Sequence, residues 1–185
     1  MVCKGTNKIH NFTAMRIYLI GYMASGKSNL GQLLAAKLGY SFVDIDYLFE
    51  ERFRISVLDF FEKYDEDGFR KIEQSLLAES TGWDQVVIST GGGTPCFFNN
   101  MSVIRESGVS VYLQWEVDKL VQRLKLVKRK RPLLKDIPAV ELASRVAVQL
   151  REREFYYKQA DFVMDAATLD MDALAAMITG RIHEP

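Results

Sequence analysis

A glycine-rich segment, residues 21–28, follows the apolar run 17–20 near the start of the chain. It fits the pattern G-x-x-x-x-G-K-[ST], in which glycines let the backbone curl so that several amide N–H groups converge on a phosphate. A helix that opens at Gly26-Lys27 would add the positive end of its dipole. The segment predicts a strand, a phosphate-binding loop (the P-loop), a helix and a nucleotide triphosphate site, with an ordinary strand-to-helix turn as the alternative.

The composition is typical of one globular domain. The chain has 185 residues, 48% of them hydrophobic, and a formal net charge of zero, which suits a sizeable core and argues against a general nucleic-acid binder. No apolar run approaches the ~20 residues that cross a bilayer.

Cys3 and Cys96 lie far apart without metal-ligand spacing, so we expect free thiols in a reducing cytoplasm. Residues 1–14 are polar without an apolar signal core, and we expect a flexible extension before a single domain over 15–185.

Short apolar runs rich in β-branched residues alternate with longer stretches of helical periodicity. This alternation predicts an α/β fold in which a parallel sheet carries helices on both faces. The predicted strands lie at 17–20, 42–43, 86–88, 109–113 and 162–164. One helix is expected to follow the P-loop and end at Gly39, and others are expected at about 47–52, 55–64, 68–79 and 139–158.

Two acids, Asp44 and Asp46, stand where the second predicted strand ends and a helix starts. In an extended segment, side chains at i and i+2 lean to the same side, here at the carboxyl end of the sheet, where α/β proteins bind ligands. One carboxylate would act on magnesium and the other on a substrate hydroxyl. The alternative is that Asp46 only caps the helix over 47–52.

Three consecutive glycines, Gly91, Gly92 and Gly93, follow the third predicted strand. Without side chains, their backbone N–H groups can approach a ligand closely. A plain turn is the alternative. The position argues for a ligand, because this run follows a buried strand as the P-loop does.

Arg70 and Glu73 are expected at i and i+3 on one helix face. The planar guanidinium suits a substrate carboxylate, and Glu73 would hold it in place. As an exposed ion pair the two side chains would contribute almost nothing to stability, and out of context that surface pair is the favoured alternative.

Five cations occur in residues 125–131, directly before Pro132. Proline breaks the helix and starts a loop. A loop that delivers Arg131 after ATP binds would stabilise the charge of the transferred phosphoryl group and exclude water. The neutral chain favours a helix end or an anion-facing loop over a nucleic-acid patch.

In this order and at these separations, the segments resemble the shikimate kinase family of nucleoside-monophosphate-kinase-like P-loop proteins, over about residues 15–178. The resemblance implies a three-layer P-loop kinase fold with a five-stranded parallel sheet, a substrate-binding region at about 44–80 and a small lid at about 124–138. It also implies phosphorylation of the 3-hydroxyl of shikimate by ATP, in the route to chorismate and the aromatic amino acids. The family resemblance rests on the P-loop, the two acids, Phe69-Arg70 with Glu73, the glycine run, Arg131-Pro132-Leu133-Leu134, and Arg153 with Tyr157 and Ala160-Asp161.

The resemblance further implies a role for each matched residue. Lys27 would hold the phosphates, Asp46 would orient or deprotonate the acceptor hydroxyl, and Arg131 would come from the lid; these three are the expected catalytic residues. Ser28 would bind one Mg²⁺ directly, with Asp44 in its outer shell. The expected ATP contacts are Ala24, Ser25, Gly26, Lys27, Ser28, Asn29 and Arg131. The expected shikimate contacts are Asp46, Phe61, Phe69, Arg70, Gly91, Gly92, Gly93 and Arg153.

The chain departs from the usual family pattern in places. Asp65-Glu66 stands where Gly-Glu is usual, Phe155 stands where proline is usual, and the adenine contacts stay unassigned. Arg151 is two positions from Arg153 and is the other candidate for the substrate carboxylate.

The implied partners are ATP and shikimate, with no nucleic acid or membrane, for a cytoplasmic monomer. The alternatives are a gluconate or nucleoside-monophosphate kinase, or a nucleotide-dependent switch; Arg70 with the glycine run favours a small carboxylate.

Overall fold

The computed structural model describes residues 15–126, 138 and 140–183. The expected extension over 1–14 and most of the expected lid, Arg131 included, lie outside the described residues.

The described residues contain one parallel sheet of five strands in the order β2-β3-β1-β4-β5. The register aligns Leu19 of β1 with Ser89 of β3 and with Val111 of β4, so the carboxyl ends of the central strands lie at the same edge. The predicted α/β class and the five-stranded parallel sheet are therefore confirmed, and each strand is slightly longer than predicted. The strands are β1 (Arg16–Ile20), β2 (Ser41–Asp44), β3 (Val86–Ser89), β4 (Val109–Gln114) and β5 (Phe162–Asp165).

Within the described ranges, eight α-helices surround the sheet, and a short 3₁₀ turn (Thr94–Cys96) follows the glycine run. The first helix ends at Gly39, whose φ of 70° is the left-handed conformation that closes a helix. None of the described helices is long and apolar enough to span a bilayer. The helices are α1 (Lys27–Leu38), α2 (Ile45–Phe53), α3 (Val57–Lys63), α4 (Glu66–Ser80), α5 (Asn100–Ser107), α6 (Val117–Leu126), α7 (Leu142–Tyr157) and α8 (Met171–His183).

Capping aspartates set the starts of two helices. The Asp44 carboxylate accepts hydrogen bonds from the first backbone N–H groups of α2, including that of Asp46. The prediction of an extended segment through Asp46 is therefore wrong, and so is the alternative that Asp46 caps the helix, because the chain is already helical at Asp46. Asp65 likewise accepts from the N–H of Gly68 at 2.6 Å, so α4 begins at Glu66.

Alternate residues of β1 face two separate cores. Ile17 and Leu19 pack with apolar residues of α1 and α8, including Leu34. Tyr18 and Ile20 pack with apolar residues of α2 to α7 on the opposite face. Because both faces of the sheet are covered, the molecule has three layers, and its central strands are apolar on both sides.

Candidate active site

The carboxyl ends of β1, β2 and β3 surround a cleft of about 180 Å³. From β1 the chain enters α1 on one face of the sheet, whereas after the neighbouring β3 it continues to α5 on the other face. The loops diverge at this point, which leaves the crevice where α/β proteins bind ligands. The cleft joins segments remote in sequence, and its lining is Met23, Ala24, Gly26, Lys27, Ser28, Asn29, Asp44, Asp46, Ser89, Thr90, Gly92 and Arg123.

The P-loop curls around the ammonium group of Lys27. Gly26 has a φ of 99°, which favours glycine, and α1 begins at the next residue as predicted. The Lys27 Nζ donates hydrogen bonds to the carbonyl oxygens of Gly21, at 2.8 Å, and Tyr22, at 2.9 Å. Only 7% of Lys27 is exposed, so a positive charge lies inside the loop at the amino end of a helix, where anions bind.

Ser28 and Asp44, the residues expected near magnesium, contact each other. The Ser28 hydroxyl donates to Oδ2 of Asp44 at 2.5 Å. The described ranges hold no cluster of three or more His, Cys, Asp or Glu side chains that could bind a metal ion. Mg²⁺ at a nucleotide site uses one or two protein oxygens together with phosphates and water, so this hydroxyl and carboxylate fit it.

Asp46 lies on the first turn of α2 and lines the same cleft as the P-loop. A Cβ placed on Gly91 would lie 3.1 Å from Oδ1 of Asp46. The carboxylate therefore stands at the border between the P-loop and the glycine run.

Arg70 is buried with a carboxylate on each side. Its Nη1 donates to Oε2 of Glu73 at 2.7 Å, and its Nη2 donates to Oε1 of Glu66 at 2.8 Å. Arg70 is 5% exposed and Glu73 is 1% exposed, so the alternative of a surface ion pair is wrong. Burial lowers the pKa of Arg70, but the two carboxylates outweigh burial, and the pKa lies above its usual value.

Three aromatic rings surround the Arg70 guanidinium. Its Cζ lies 4.3 Å from the ring centre of Phe97, 5.3 Å from that of Phe69 and 5.9 Å from that of Phe61. The rings of Phe61 and Phe69 also contact each other, with centres 4.9 Å apart. The two phenylalanines expected at the substrate therefore form an apolar wall beside the guanidinium.

The glycine run packs directly on this ion pair. A Cβ on Gly93 would lie 2.7 Å from both Nη1 and Nη2 of Arg70, and one on Gly91 would lie 2.5 Å from Oε1 of Glu73. The same Oε1 accepts a hydrogen bond from the hydroxyl of Thr94 at 2.6 Å. A plain turn would tolerate side chains here, whereas this one leaves no room for them.

Arg153 faces the glycine run from α7. Its guanidinium lies 5.6 Å from the ring centre of Tyr22, and a Cβ on Gly92 would lie 3.7 Å from its Nη1. That Nη1 is buried and has no hydrogen-bond partner among the described residues. Arg151 is exposed on the same helix, so Arg153 is the one of the two arginines that lies beside the glycine run.

Three side chains outside the glycine-rich segments hold these two loops; the sequence analysis missed Trp115 and Arg123, and it named Tyr157 without giving it a role. The indole N–H of Trp115 donates to the carbonyl of Ser25 at 2.8 Å, and Nε of Arg123 donates to the carbonyl of Ala24 at 2.7 Å. The Tyr157 hydroxyl donates to the carbonyl of Gly92. No spacing rule indicates these contacts; the one available signal is that Trp115 directly follows a buried strand.

Cys96 lies near Arg153 and Arg70, and its thiol is free, as predicted. Burial raises the pKa of Cys96 to about 12, although the charges of Arg153 and Arg70 lower it in part. The thiol is therefore protonated at neutral pH and is not activated as a nucleophile. The other predicted free thiol, Cys3, lies outside the described residues.

The family model described as shikimate kinase matches residues 23–183. The shikimate kinase of Azobacteroides pseudotrichonymphae genomovar. CFP2 is 41% identical over 168 residues, which are 90% of this chain and 99% of that protein. A 1.7 Å crystal structure of the Bacteroides thetaiotaomicron shikimate kinase superimposes with a TM-score of 0.82 at 36% identity, covering 92% of this chain and 99% of that one. The Acinetobacter baumannii shikimate kinase in complex with shikimate gives a TM-score of 0.81 at 31% identity, covering 92% and 93%. The chain belongs to the shikimate kinase family.

Proposed function

We propose that this protein transfers the γ-phosphate of ATP to the 3-hydroxyl of shikimate. The observation that carries the proposal is the position of Asp46, which lines the cleft with Lys27 and Ser28 and borders the glycine run that packs on Arg70. The Asp46 carboxylate would thus lie between the site for the phosphate donor and the site for the acceptor substrate. Family membership supports the same reaction.

The donor half of the site is the P-loop. Lys27 and the backbone N–H groups of residues 24–29 would hold the phosphates of ATP, because a loop of converging N–H groups with one ammonium group neutralises oxygens without a bulky side chain. Arg131 would add a second cation from the lid, as the family resemblance implies.

Magnesium would be held beside the P-loop by Ser28, with Asp44 behind it, since Asp44 already accepts a hydrogen bond from the Ser28 hydroxyl. When bound, the ion neutralises charge on the phosphate oxygens. Asp44 also caps α2, so this carboxylate joins the expected ion site to the helix that carries Asp46.

The acceptor half would bind shikimate by its carboxylate and ring. Arg70 offers a planar guanidinium already oriented by Glu66 and Glu73. Arg153 offers a buried N–H without a partner among the described residues, and a substrate carboxylate would satisfy it. The remaining proposed contacts are the backbone of Gly91, Gly92 and Gly93 and the rings of Phe61 and Phe69.

Asp46 would accept the proton of the 3-hydroxyl as that oxygen attacks the γ-phosphorus. A bond forms between the 3-oxygen and phosphorus, the bond from phosphorus to the bridging oxygen of ADP breaks, and the proton passes to the Asp46 carboxylate. A half-buried carboxylate on the first turn of a helix is held in place for this task, because the helix fixes its backbone.

The remaining parts of the proposal concern the molecule as a whole. We propose a monomeric cytoplasmic enzyme with a single kinase domain over 15–185, preceded by a flexible extension over 1–14. Its acceptor contacts would be concentrated at about 44–80 and its lid at about 124–138. Its small-molecule partners would be ATP and shikimate, with no nucleic acid or membrane.

The direct test is a coupled assay of ADP release with a panel of acceptors: shikimate, gluconate and nucleoside monophosphates, with Mg²⁺ present. We expect rapid turnover with shikimate and a product phosphorylated at the 3-hydroxyl. Turnover with gluconate or a nucleotide, and none with shikimate, would overturn the assignment. ATP binding without any acceptor-dependent turnover would indicate a nucleotide-dependent switch instead.

A further inference from the structure

Each glycine-rich loop of the cleft is held from outside by one aromatic hydrogen-bond donor. Trp115, directly after β4, donates its indole N–H to the carbonyl of Ser25 in the P-loop at 2.8 Å. Tyr157, the last residue of α7, donates its hydroxyl to the carbonyl of Gly92 in the glycine run. Both donors lie outside the glycine-rich motifs themselves.

The two contacts control the direction of neighbouring N–H groups. A peptide unit is planar, and its C=O and N–H bonds point in opposite directions. The Trp115 bond to the carbonyl of Ser25 therefore orients the N–H of Gly26 away from the indole. In the same way, the Tyr157 bond to the carbonyl of Gly92 orients the N–H of Gly93.

The surroundings hold both donors firmly in place. The guanidinium of Arg123 lies 4.6 Å from the ring centre of Trp115 and donates to the carbonyl of Ala24, so two consecutive P-loop carbonyls are fixed. Tyr157 is fully buried, and its ring centre lies 5.1 Å from that of Tyr112. These packing contacts limit the positions that either donor can adopt.

We propose that Trp115 and Tyr157 are positioning residues, Trp115 for the nucleotide and Tyr157 for shikimate, each acting through the carbonyl that it holds. The proposal rests on the proposed function and deepens it, because it assigns part of the affinity for each substrate to a residue that holds a loop carbonyl. A loop with a free carbonyl samples other orientations, so a substrate must order it on binding and binds more weakly.

The test compares Trp115→Phe and Tyr157→Phe. Tyr157→Phe removes only the hydroxyl, whereas Trp115→Phe removes the indole N–H and leaves a smaller aromatic ring, a change of size that the control Trp83→Phe reproduces. Trp115→Phe should raise KM for ATP about five- to tenfold and leave KM for shikimate and kcat unchanged. Tyr157→Phe should raise KM for shikimate by a similar factor and leave KM for ATP and kcat unchanged, as expected for the loss of one hydrogen bond. Calorimetry with ATP alone and with shikimate alone should give the same separation. Because binding is measured without turnover, this result stands even if the proposed reaction fails.

Two matched controls use the other tryptophan and a neighbouring tyrosine. Trp83 lies just before β3, at the opposite edge of the sheet from the P-loop, and the Tyr112 hydroxyl has no hydrogen-bond partner among the described residues. Trp83→Phe and Tyr112→Phe should leave both affinities unchanged. In the Trp83→Phe protein, Trp115 is the one remaining tryptophan, and its fluorescence should respond to ATP and not to shikimate.

The outcomes separate clearly. If either variant lowered the affinities for ATP and shikimate equally, the fold would be loosened in general, and the proposed role of that residue would be overturned. Unchanged affinities would also overturn the role of that residue. For Trp115, a fluorescence emission that does not change when ATP binds would overturn its role as well.

Discussion

The two halves of the proposed site bury a cation in different ways. In the donor half, Lys27 bonds to neutral backbone carbonyls of its own loop, Gly21 and Tyr22. In the acceptor half, Arg70 bonds to two carboxylates, Glu66 and Glu73. The two carbonyls are neutral partners for Lys27, whereas Arg70 and its two glutamates form a group with a formal charge of −1.

This difference matches the charges of the two proposed substrates. ATP carries several negative charges, and a buried ammonium group attracts them strongly in a cleft of low dielectric constant. Shikimate carries one carboxylate, so geometry counts for more than net charge, and the two glutamates orient the guanidinium plane. We expect the donor half to depend on charge and the acceptor half on orientation.

The largest effect should come from Asp46, where the halves meet. Asp46→Asn removes the proposed proton acceptor, and we expect turnover with shikimate to fall by about 10²- to 10⁴-fold while ATP affinity stays unchanged. Steady-state kinetics and calorimetry with ATP measure the two quantities. Near-normal turnover would refute the proposed role, and a parallel loss of ATP affinity would place Asp46 in the donor half.

Arg70→Ala should have a smaller effect that is confined to the acceptor half. Losing a charge-assisted contact to the substrate carboxylate should raise KM for shikimate by about 10- to 100-fold and leave KM for ATP unchanged. Arg70→Lys should recover only part of the loss if orientation matters, because an ammonium group cannot bind in the planar manner.

Arg52→Ala provides the matched control for Arg70. Arg52 also bonds to a glutamate through both Nη atoms, to Glu79, but this pair is exposed on α2 and α4. The control should leave both KM values unchanged. An equal rise in the KM for shikimate in both variants would mean that Arg70 acts through the fold and not on the substrate.

A further effect is expected on stability and not on substrate affinity, at Glu73. Glu73→Gln leaves the buried Arg70 with Glu66 as its remaining carboxylate, and we expect the free energy of unfolding in urea at pH 7 to fall by about 2 kcal/mol. Glu79→Gln, which alters an exposed pair, is the control and should change little. Equal stability of the two variants would mean that the buried pair of Arg70 and Glu73 contributes no more to stability than the exposed pair of Arg52 and Glu79.

The sequence predicted the local features of the site better than the long-range ones. Lys27, Ser28 and the start of α1 follow from a pattern of eight residues, because the backbone of that segment alone determines them. The extended segment expected through Asp46 and the alternative of Asp46 as the cap were both wrong, since the pattern could not show that α2 begins one residue after Asp44.

Contacts between distant elements could not be predicted in this way. The bonds of Trp115 to Ser25 and of Tyr157 to Gly92 join residues 90 and 65 positions apart. They exist because β4 lies beside β1 and α7 packs over the glycine run, and neither arrangement has a motif. The burial of Arg70 with Glu73 likewise follows from packing, since the same i, i+3 spacing occurs on exposed helices.

The divergence of the chain after β1 and β3 has a consequence for engineering. The crevice between these strands is a property of the backbone, and it exists before any side chain is chosen. A new acceptor specificity could be installed by exchanging the segment from α2 to the glycine run while the P-loop is kept. In such chimaeras the affinity for ATP should persist as the acceptor changes, so the fold serves as a reusable frame for small-molecule phosphorylation.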